Sequence, residues 1–142
     1  MKKKIDYKKQ GKRNRAAGQR FEARVRKDLE SKGWFVSKWQ NNVELEYDLE
    51  VLFKKVIKGK CIPAKMGKFR SNQGGYPDFL CYCRLKRKGI YKIIFVESKS
   101  KGYLSKEEKM KAKWYLENDY CSKFLIASKG KKRGVIEYKE FK

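Results

Sequence analysis

The chain of 142 residues carries 39 Lys and Arg against 16 Asp and Glu, a formal net charge of +23, so nucleic acid is the default partner. No apolar stretch approaches the roughly 20 residues of a membrane span and no cleavable signal is evident, which predicts a soluble intracellular protein without membrane contact. Eight Phe, nine Tyr and three Trp can fill the core of one domain, unlike the few large apolar residues of many ribosomal or chromatin-like chains.

The first segment, residues 1–15, holds eight basic residues and one acid without apolar periodicity. This composition predicts a flexible basic arm in which Arg13 and Arg15 could follow a phosphate backbone. A merely solvated tail fits the same composition. The folded domain is expected over residues 16–142.

A helix is predicted over roughly residues 14–32, ended by Gly33. Its apolar stripe recurs at spacings of three and four residues and comprises Gly18, Phe21, Val25 and Leu29. Glu22 lies on the edge of this stripe and is expected to face the protein, where a carboxylate needs a cation or a hydrogen-bond donor. A salt bridge to one of the many Lys and Arg residues and a metal site would both meet that need.

A short strand is predicted over residues 34–36, followed by polar residues beside an aromatic side chain. Lys38, Gln40 and Asn41 are candidates to contact a nucleic-acid backbone or base. An ordered turn is the alternative for Asn41 and Asn42.

Residues 43–60 fit both an alternating strand and a helical stripe, and we favour a strand that enters a hairpin. Alternate residues would then form an acidic row expected to pair with lysines, namely Glu44, Glu46, Asp48 and Glu50. Residues 58–75 are basic and rich in Gly, which predicts a loop. Lys65 and Arg70 in this loop are candidates to grip a nucleic-acid strand, and a plain connector is the alternative.

The densest pattern of functional residues spans residues 76–99. Asp78 follows a Gly-Gly turn and opens an apolar run, and a second apolar run ends in Glu97, Ser98 and Lys99. The 19 residues from Asp78 to Glu97 suit two strands and a turn, so both acids should meet at one end of a hairpin. Strand alternation places Glu97 and Lys99 on one face about 7 Å apart, within reach of one phosphate. This arrangement indicates a metal-dependent site for phosphodiester chemistry.

Ser105 followed by Glu108 is a capping-box signature and predicts a second helix. Strands are predicted over residues 124–127 and 135–141, on either side of a basic turn at 129–133. The order of elements describes one α/β domain with a mixed central β-sheet.

The four cysteines lack the paired spacing of zinc knuckles, and the chain has no histidine. Reduced, partly buried thiols are expected, with a disulfide from Cys61 to another cysteine as the alternative.

Four segments together resemble the motif series of the PD-(D/E)XK nucleases: Gln19-Arg20-Phe21-Glu22, Pro77-Asp78, Glu97-Ser98-Lys99 and Leu104-Ser105-Lys106-Glu107-Glu108. The likeness is greatest to archaeal Holliday junction resolvases and virus-type replication-repair nuclease domains, and it covers roughly residues 15–127. It implies a single restriction-endonuclease-like domain whose mixed central sheet is flanked by helices. It also implies a Mg²⁺- or Mn²⁺-dependent endonuclease for double-stranded or branched DNA in recombination or repair. Relatives that cut two strands often work as homodimers.

The resemblance also implies a role for each site residue. Asp78 and Glu97 would bind the metal, with the backbone carbonyl of Ser98 as a further ligand. Lys99 would orient or deprotonate the attacking water, and Glu22 would complete the outer metal shell or a second metal site. Glu108 is a weaker candidate, because many relatives carry Gln there and its carboxylate also belongs to the capping box.

The segment over residues 42–75 is longer than the corresponding connection in compact junction resolvases, which leaves the preferred DNA structure open. Two other functions stay open. One is a DNA-binding module of the same fold without catalysis, and the other is a basic RNA-binding protein.

Overall fold

The computed structural model describes residues 6–48, 55–64 and 74–142, which form a five-stranded sheet, a two-stranded sheet and two helices. In chain order the elements are α1 (Tyr7–Ser31), β1 (Phe35–Lys38), β2 (Asn41–Asp48), β3 (Lys55–Pro63), β4 (Phe79–Arg84), β5 (Tyr91–Ser98), α2 (Lys106–Glu117), β6 (Lys123–Lys129) and β7 (Ile136–Glu140). The large sheet has the strand order β1-β4-β5-β6-β7. Its β5–β6 pair is parallel and its other three pairs are antiparallel. The predicted α/β class with a mixed central sheet is confirmed.

The large sheet is covered by α1 on one face and by α2 with the β2–β3 hairpin on the other. On β5, Ile94 and Val96 point to one face and pack in a cluster with Phe21 of α1. Phe95 lies between them, points to the other face and packs against Tyr115 of α2. Burial of these alternating side chains stabilises the packing of α1 and α2 on opposite faces of the sheet. The end of β5 therefore lies between the two helices.

Helix α1 begins at Tyr7, well before the predicted start. The side chain of Asp6 accepts a hydrogen bond of 3.0 Å from the backbone N–H of Lys9, which is N-cap geometry. The prediction of a flexible arm over residues 1–15 was therefore wrong for residues 7–15, which are helical. Apolar periodicity is missing there because this part of α1 packs against neither cluster of the described core.

The hairpin predicted within residues 43–60 is confirmed as β2 and β3. Its register places three acids opposite lysines: Glu44 opposite Lys60, Glu46 opposite Lys58 and Asp48 opposite Lys55. Ion pairing of the acidic row with lysines stays a prediction. The predicted loop over residues 58–75 was wrong at its start, because pairing with β2 extends β3 to Pro63. Glu50, Lys65 and Arg70 lie outside the described residues.

The C-terminal half follows the predicted order of elements. Ser105 Oγ accepts a hydrogen bond of 3.2 Å from the backbone N–H of Glu108, and the backbone N–H of Ser105 donates to Glu108 Oε2 at 2.7 Å. This is the predicted capping box. All four cysteines are free thiols, and burial raises the pKa of Cys81 to about 12 and that of Cys121 to about 11. These two thiols are therefore expected to be unreactive.

Gly59 in β3 leaves room for the indole ring of Trp114 on α2. A Cβ atom at position 59 would overlap this ring, which itself packs against Tyr115 and Tyr120. We therefore expect Gly59→Ala to lower the free energy of unfolding by about 1–3 kcal/mol in urea denaturation.

The matched control is Gly18→Ala, because no atom lies within 4 Å of a Cβ at that helical position. It should leave stability unchanged or raise it by up to about 1 kcal/mol. An equal response of the two variants would contradict the packing of the β2–β3 hairpin on α2.

Candidate active site

The ends of β4 and β5 bring Asp78 and Glu97 together. Phe79 pairs with Val96 in the antiparallel register, so the two acids lie next to each other at the edge of this pairing. The backbone N–H of Asp78 donates to Glu97 Oε2 at 3.0 Å, and the backbone N–H of Ser98 donates to Asp78 Oδ2 at 2.9 Å. Each carboxylate is therefore held by the main chain next to the other, and the two acids meet as their spacing predicted.

On one side of this pair, Lys38 links Asp78 to Glu22. Lys38 ends β1, and the pairing of β1 with β4 sets it opposite Phe79. Its ammonium group contacts the Glu22 carboxylate and lies 3.6 Å from Asp78 Oδ1. The sequence predicts Lys38 as a nucleic-acid contact, whereas the structure places its ammonium group between two acids. No local pattern could show this, because β1 and β4 are far apart in the chain.

On the other side of the pair, Lys99 links Glu97 to Glu108. Lys99 Nζ lies 3.4 Å from Glu97 Oε1 and 2.6 Å from Glu108 Oε1. The contact confirms that Glu97 and Lys99 share a face. Glu108 uses its second oxygen, Oε2, in the capping box, so this weaker candidate both caps α2 and holds Lys99.

Together these six side chains form a row of charges with two acids adjacent at its centre. We call it the charged row, and in spatial order it comprises Glu22, Lys38, Asp78, Glu97, Lys99 and Glu108. Four carboxylates accompany two ammonium groups, so with all six ionised the row carries a charge of −2 in a chain of +23. One divalent cation would neutralise it.

Burial and repulsion act on the two central acids. The side chain of Glu97 is only 8% exposed, and its burial, together with the charge of Asp78, raises the pKa of Glu97 to about 8. Burial also raises the pKa of Asp78, against the opposing effect of the Ser98 backbone N–H. Without a bound cation, the pair therefore retains a proton near neutral pH.

The two lysines of the row stay protonated. Burial alone would lower the pKa of Lys99, but its hydrogen bond to Glu108 and the charge of Glu97 outweigh burial and raise it. The pKa of Lys38 is raised in the same way by Glu22 and Asp78. Lys99 is therefore a hydrogen-bond donor and a source of positive charge rather than a base.

Asp78 and Glu97 are the residues that fit a metal ion. A backbone N–H occupies one oxygen of each. The other oxygens, Asp78 Oδ1 and Glu97 Oε1, lie 3.6 and 3.4 Å from the ammonium groups of Lys38 and Lys99, and they are the oxygens that would bind a cation. The hydroxyl oxygen of Ser98 is buried and has no hydrogen-bond partner in the described part of the chain. Carboxylate oxygens with water completing the shell suit Mg²⁺ or Mn²⁺.

The wider predicted ligand set is not assembled. Among residues 6–48, 55–64 and 74–142, no three Asp, Glu or Cys side chains are grouped as a complete metal site. Glu22 makes an ion pair with Lys38, which was one of its two predicted uses. Its metal role and that of the Ser98 carbonyl stay predictions.

Tyr76 links the turn before β4, which carries Asp78, to helix α2. The sequence did not reveal this structural role. Its hydroxyl donates to the backbone carbonyl of Glu108 at 2.9 Å, and the hydroxyl of Tyr115 donates to the backbone carbonyl of Tyr76 at 2.7 Å. Trp39 Nε1 in turn donates to the Tyr115 hydroxyl at 3.1 Å. These hydrogen bonds hold the segment that leads into β4, which includes Asp78, against α2, which carries Glu108.

A cavity of about 420 Å³ opens beside Glu97 and Glu108. Gly74, Gly75 and Tyr76 contribute to its lining, and so does Lys111 of α2. The Lys111 side chain is largely buried, and its ammonium group lies 2.9 Å from a carboxylate oxygen of Glu107 on the same helix. The cavity gives the charged row an open side.

The remaining predicted nucleic-acid contacts lie outside the charged row. Four of them are described: Arg13 and Arg15 are exposed on α1, Gln40 is exposed before β2, and Asn41 is half-buried at the first position of β2. Arg15 precedes Glu22 by about two helical turns, or roughly 10 Å, on the same side of α1. Nucleic-acid binding by these residues stays a prediction.

Comparison of the chain with protein-family models, with curated proteins and with solved structures found no match. Within the described residues, neither helix is long and apolar enough to cross a membrane. The case for a function therefore depends on the geometry and charge of the site.

The buried Glu97 should make the metal-free protein less stable as the pH rises. Its pKa is about 8 in the folded protein against an ordinary 4.5, so between these values the folded state binds more protons than the unfolded state. The free energy of unfolding should therefore fall with rising pH, by at most about 1.4 kcal/mol per pH unit from this group. Urea denaturation in EDTA between about pH 5 and 8 measures the slope.

The control for this slope is Glu97→Gln, which keeps an oxygen for the Asp78 N–H but cannot ionise. The fall in stability should be shallower in the variant. If both proteins show the same dependence on pH, Glu97 does not have the raised pKa that its burial implies.

Proposed function

We propose that this protein is a metal-dependent endonuclease that hydrolyses phosphodiester bonds of DNA. One observation carries the proposal: Asp78 and Glu97 lie side by side, largely buried, between two ammonium groups, in a row that lacks two positive charges when all six side chains are ionised. The net charge of +23 supports a polyanionic substrate. The resemblance of four motif segments to PD-(D/E)XK nucleases supports the same chemistry.

Asp78 and Glu97 would hold Mg²⁺ or Mn²⁺, with the Ser98 carbonyl as a further oxygen. The bound ion would supply positive charge that polarises the scissile phosphate and lowers the pKa of a coordinated water. Lys99, which stays protonated, donates hydrogen bonds to phosphate oxygens or to the attacking water and stabilises the negative charge of the transition state. In the metal-free site its raised pKa favours the ammonium form.

The outer acids of the charged row act through the lysines. Glu108 fixes the Lys99 ammonium group at 2.6 Å, so it is a positioning residue for a phosphate-facing charge. Glu22 holds Lys38, whose ammonium group lies 3.6 Å from Asp78 Oδ1 and offsets part of its charge. On each side of Asp78 and Glu97, one lysine ammonium group is therefore held by an acid of a helix.

Double-stranded or branched DNA, including four-way junctions, is the proposed substrate class. A homodimer would place two charged rows on two strands, as in relatives that cut both. The basic surface would carry most of the affinity, so binding should weaken steeply with salt.

A DNA-binding module without catalysis is the second candidate, and one observation favours it. Each central acid already has an ammonium group within 3.6 Å, so the row could be a purely structural ion network. The basic surface alone would then bind DNA.

The variant that tests the enzyme is Asp78→Asn, which removes a charge but keeps an oxygen for the Ser98 N–H. We expect Mg²⁺-dependent cleavage of plasmid, linear duplex, flap and four-way-junction DNA to fall by at least about 100-fold. DNA binding should be equal or tighter, because one negative charge near the phosphates is gone.

The matched control is Asp119→Asn, the same chemical change at an exposed residue whose φ of +58° suits Asn. Its cleavage should equal that of the wild type. Cleavage by Asp78→Asn at the wild-type rate would contradict the proposal. A wild type that binds DNA but cuts none of the four substrates with Mg²⁺ or Mn²⁺ would establish the binding module instead.

A further inference from the structure

A second group of positive charges surrounds the turn that joins β6 to β7. The turn runs over residues 130–134 and borders an open cavity of about 360 Å³. Five basic side chains line this cavity: Arg24 from α1, Lys129 from the end of β6, and Lys131, Lys132 and Arg133 from the turn. We call it the basic cavity. The lining residues include no acid.

The charges of the basic cavity are not neutralised within the described residues. No salt bridge there involves any of the five basic side chains. Glu137 comes close, but its carboxylate accepts a hydrogen bond of 3.4 Å from the backbone N–H of Lys131. Cations gathered around one cavity raise the local potential and attract an anion.

The turn itself is held in one shape by its own backbone. The N–H of Gly130 donates to the carbonyl of Val135 at 2.8 Å, and the N–H of Val135 donates to the carbonyl of Lys132 at 3.2 Å. Gly134 has a φ of +87°, which favours glycine. The basic side chains therefore project from a defined loop.

The basic cavity lies at the same end of the sheet as the charged row. Because β6 runs parallel to β5, the turn leaves the sheet where Glu97 and Lys99 do. The N–H of Lys99 donates to the carbonyl of Ala127 at 2.8 Å, and the N–H of Lys129 donates to the carbonyl of Ser100 at 3.2 Å. Strand spacing then puts Lys129 on the order of 10 Å from the residues of the site.

Helix α1 connects the two regions a second time. The guanidinium group of Arg24 and the ammonium group of Lys129 each lie 6.0 Å from the centre of the Phe21 ring. Phe21 directly precedes Glu22 of the charged row. Arg24 and Lys129 of the basic cavity therefore lie close to Phe21, the residue next to Glu22 of the charged row.

We propose that the basic cavity binds backbone phosphates of the same DNA strand that the charged row cuts. One strand carries a phosphate per roughly 3.4 Å of helix axis, so a separation of the order of 10 Å along that axis corresponds to about three nucleotides. The cavity would then fix the strand at a second point and set its direction across the site. The identity of the ligand rests on the proposed function, whereas the presence of an anion site rests on the cavity alone.

The chain contains a closely matched control turn between β4 and β5. Lys86, Arg87 and Lys88 form it, with the same composition of two Lys and one Arg. Its hydrogen bonds have the same pattern, from the N–H of Leu85 to the carbonyl of Ile90 and from the N–H of Ile90 to the carbonyl of Arg87, at 2.9 and 3.3 Å. Because β4 is antiparallel to β5, this turn lies at the opposite end of the sheet from the charged row.

The test compares two triple variants in which these cations become Gln. One is Lys131→Gln, Lys132→Gln and Arg133→Gln, the other is Lys86→Gln, Arg87→Gln and Lys88→Gln, and each lowers the net charge by three, to +20. Binding to a short fluorescein-labelled DNA duplex is measured by anisotropy in EDTA over a salt series. The variant of the basic cavity should bind at least about tenfold more weakly at moderate salt, and its salt slope should fall by up to about three. The control should lose much less.

The possible outcomes distinguish a failure of the cavity proposal from a failure of the proposed endonuclease. Equal affinity of the two variants would overturn the cavity proposal, and cleavage by the wild type would still stand. A selective loss of binding with no cleavage by the wild type would keep the anion site and overturn the endonuclease. Wild-type protein that does not bind the duplex would overturn the cavity proposal, and the cleavage assay on the four DNA substrates would still decide the enzyme. Urea denaturation of both variants checks that these substitutions, all at exposed positions, leave the fold intact.

Discussion

Two carboxylates, those of Asp78 and Glu97, are placed next to each other by the antiparallel pairing of β4 with β5, and burial together with the repulsion between them raises the pKa of Glu97. Like charges in a largely buried position cannot both ionise without compensation. Two backbone N–H groups and two lysines provide part of it. Each lysine is held in turn by an acid of a different helix, so the repulsion couples both faces of the sheet.

The two lysines do not neutralise all four acids of the charged row. This missing positive charge distinguishes the site from an ordinary ion network on a protein surface. Isolated surface pairs contribute little to stability, and this chain has no shortage of lysines with which to neutralise two acids. The deficit persists in a chain with a net charge of +23. An arriving phosphate would add further negative charge, so a cation between the two acids would both stabilise the fold and bring the substrate to the lysine. Under the two proposals, a DNA strand would pass between the basic cavity and the open cavity beside Glu97.

Features set by neighbours in the chain could be predicted from the sequence. The capping box of Ser105 and Glu108, the buried stripe of α1 and the meeting of Asp78 with Glu97 all depend on short spacings. The early start of α1 could not be predicted from periodicity, because an exposed helix capped by Asp6 needs no apolar stripe.

Features that depend on the pairing of segments distant in the chain could not be predicted from the sequence. The position of Lys38 between two acids depends on the register of β1 against β4, and the bond from Tyr115 to Tyr76 depends on where α2 packs. The DNA structure that the proposed nuclease would prefer is not predictable for the same reason. Substrate choice depends on surfaces formed by several segments rather than on the acids that hold a metal.

The central claim is that Asp78 and Glu97 form a site for one divalent cation, and isothermal titration calorimetry of the metal-free protein tests it most directly. Mg²⁺ or Mn²⁺ should bind once per chain. Because Glu97 must lose its proton, binding near pH 7 should release protons, and this release should vanish above about pH 9. The Asp78→Asn variant should lose the binding. Absence of binding in the wild type, or binding that survives in Asp78→Asn, would contradict the account and identify the charged row as a complete ion network.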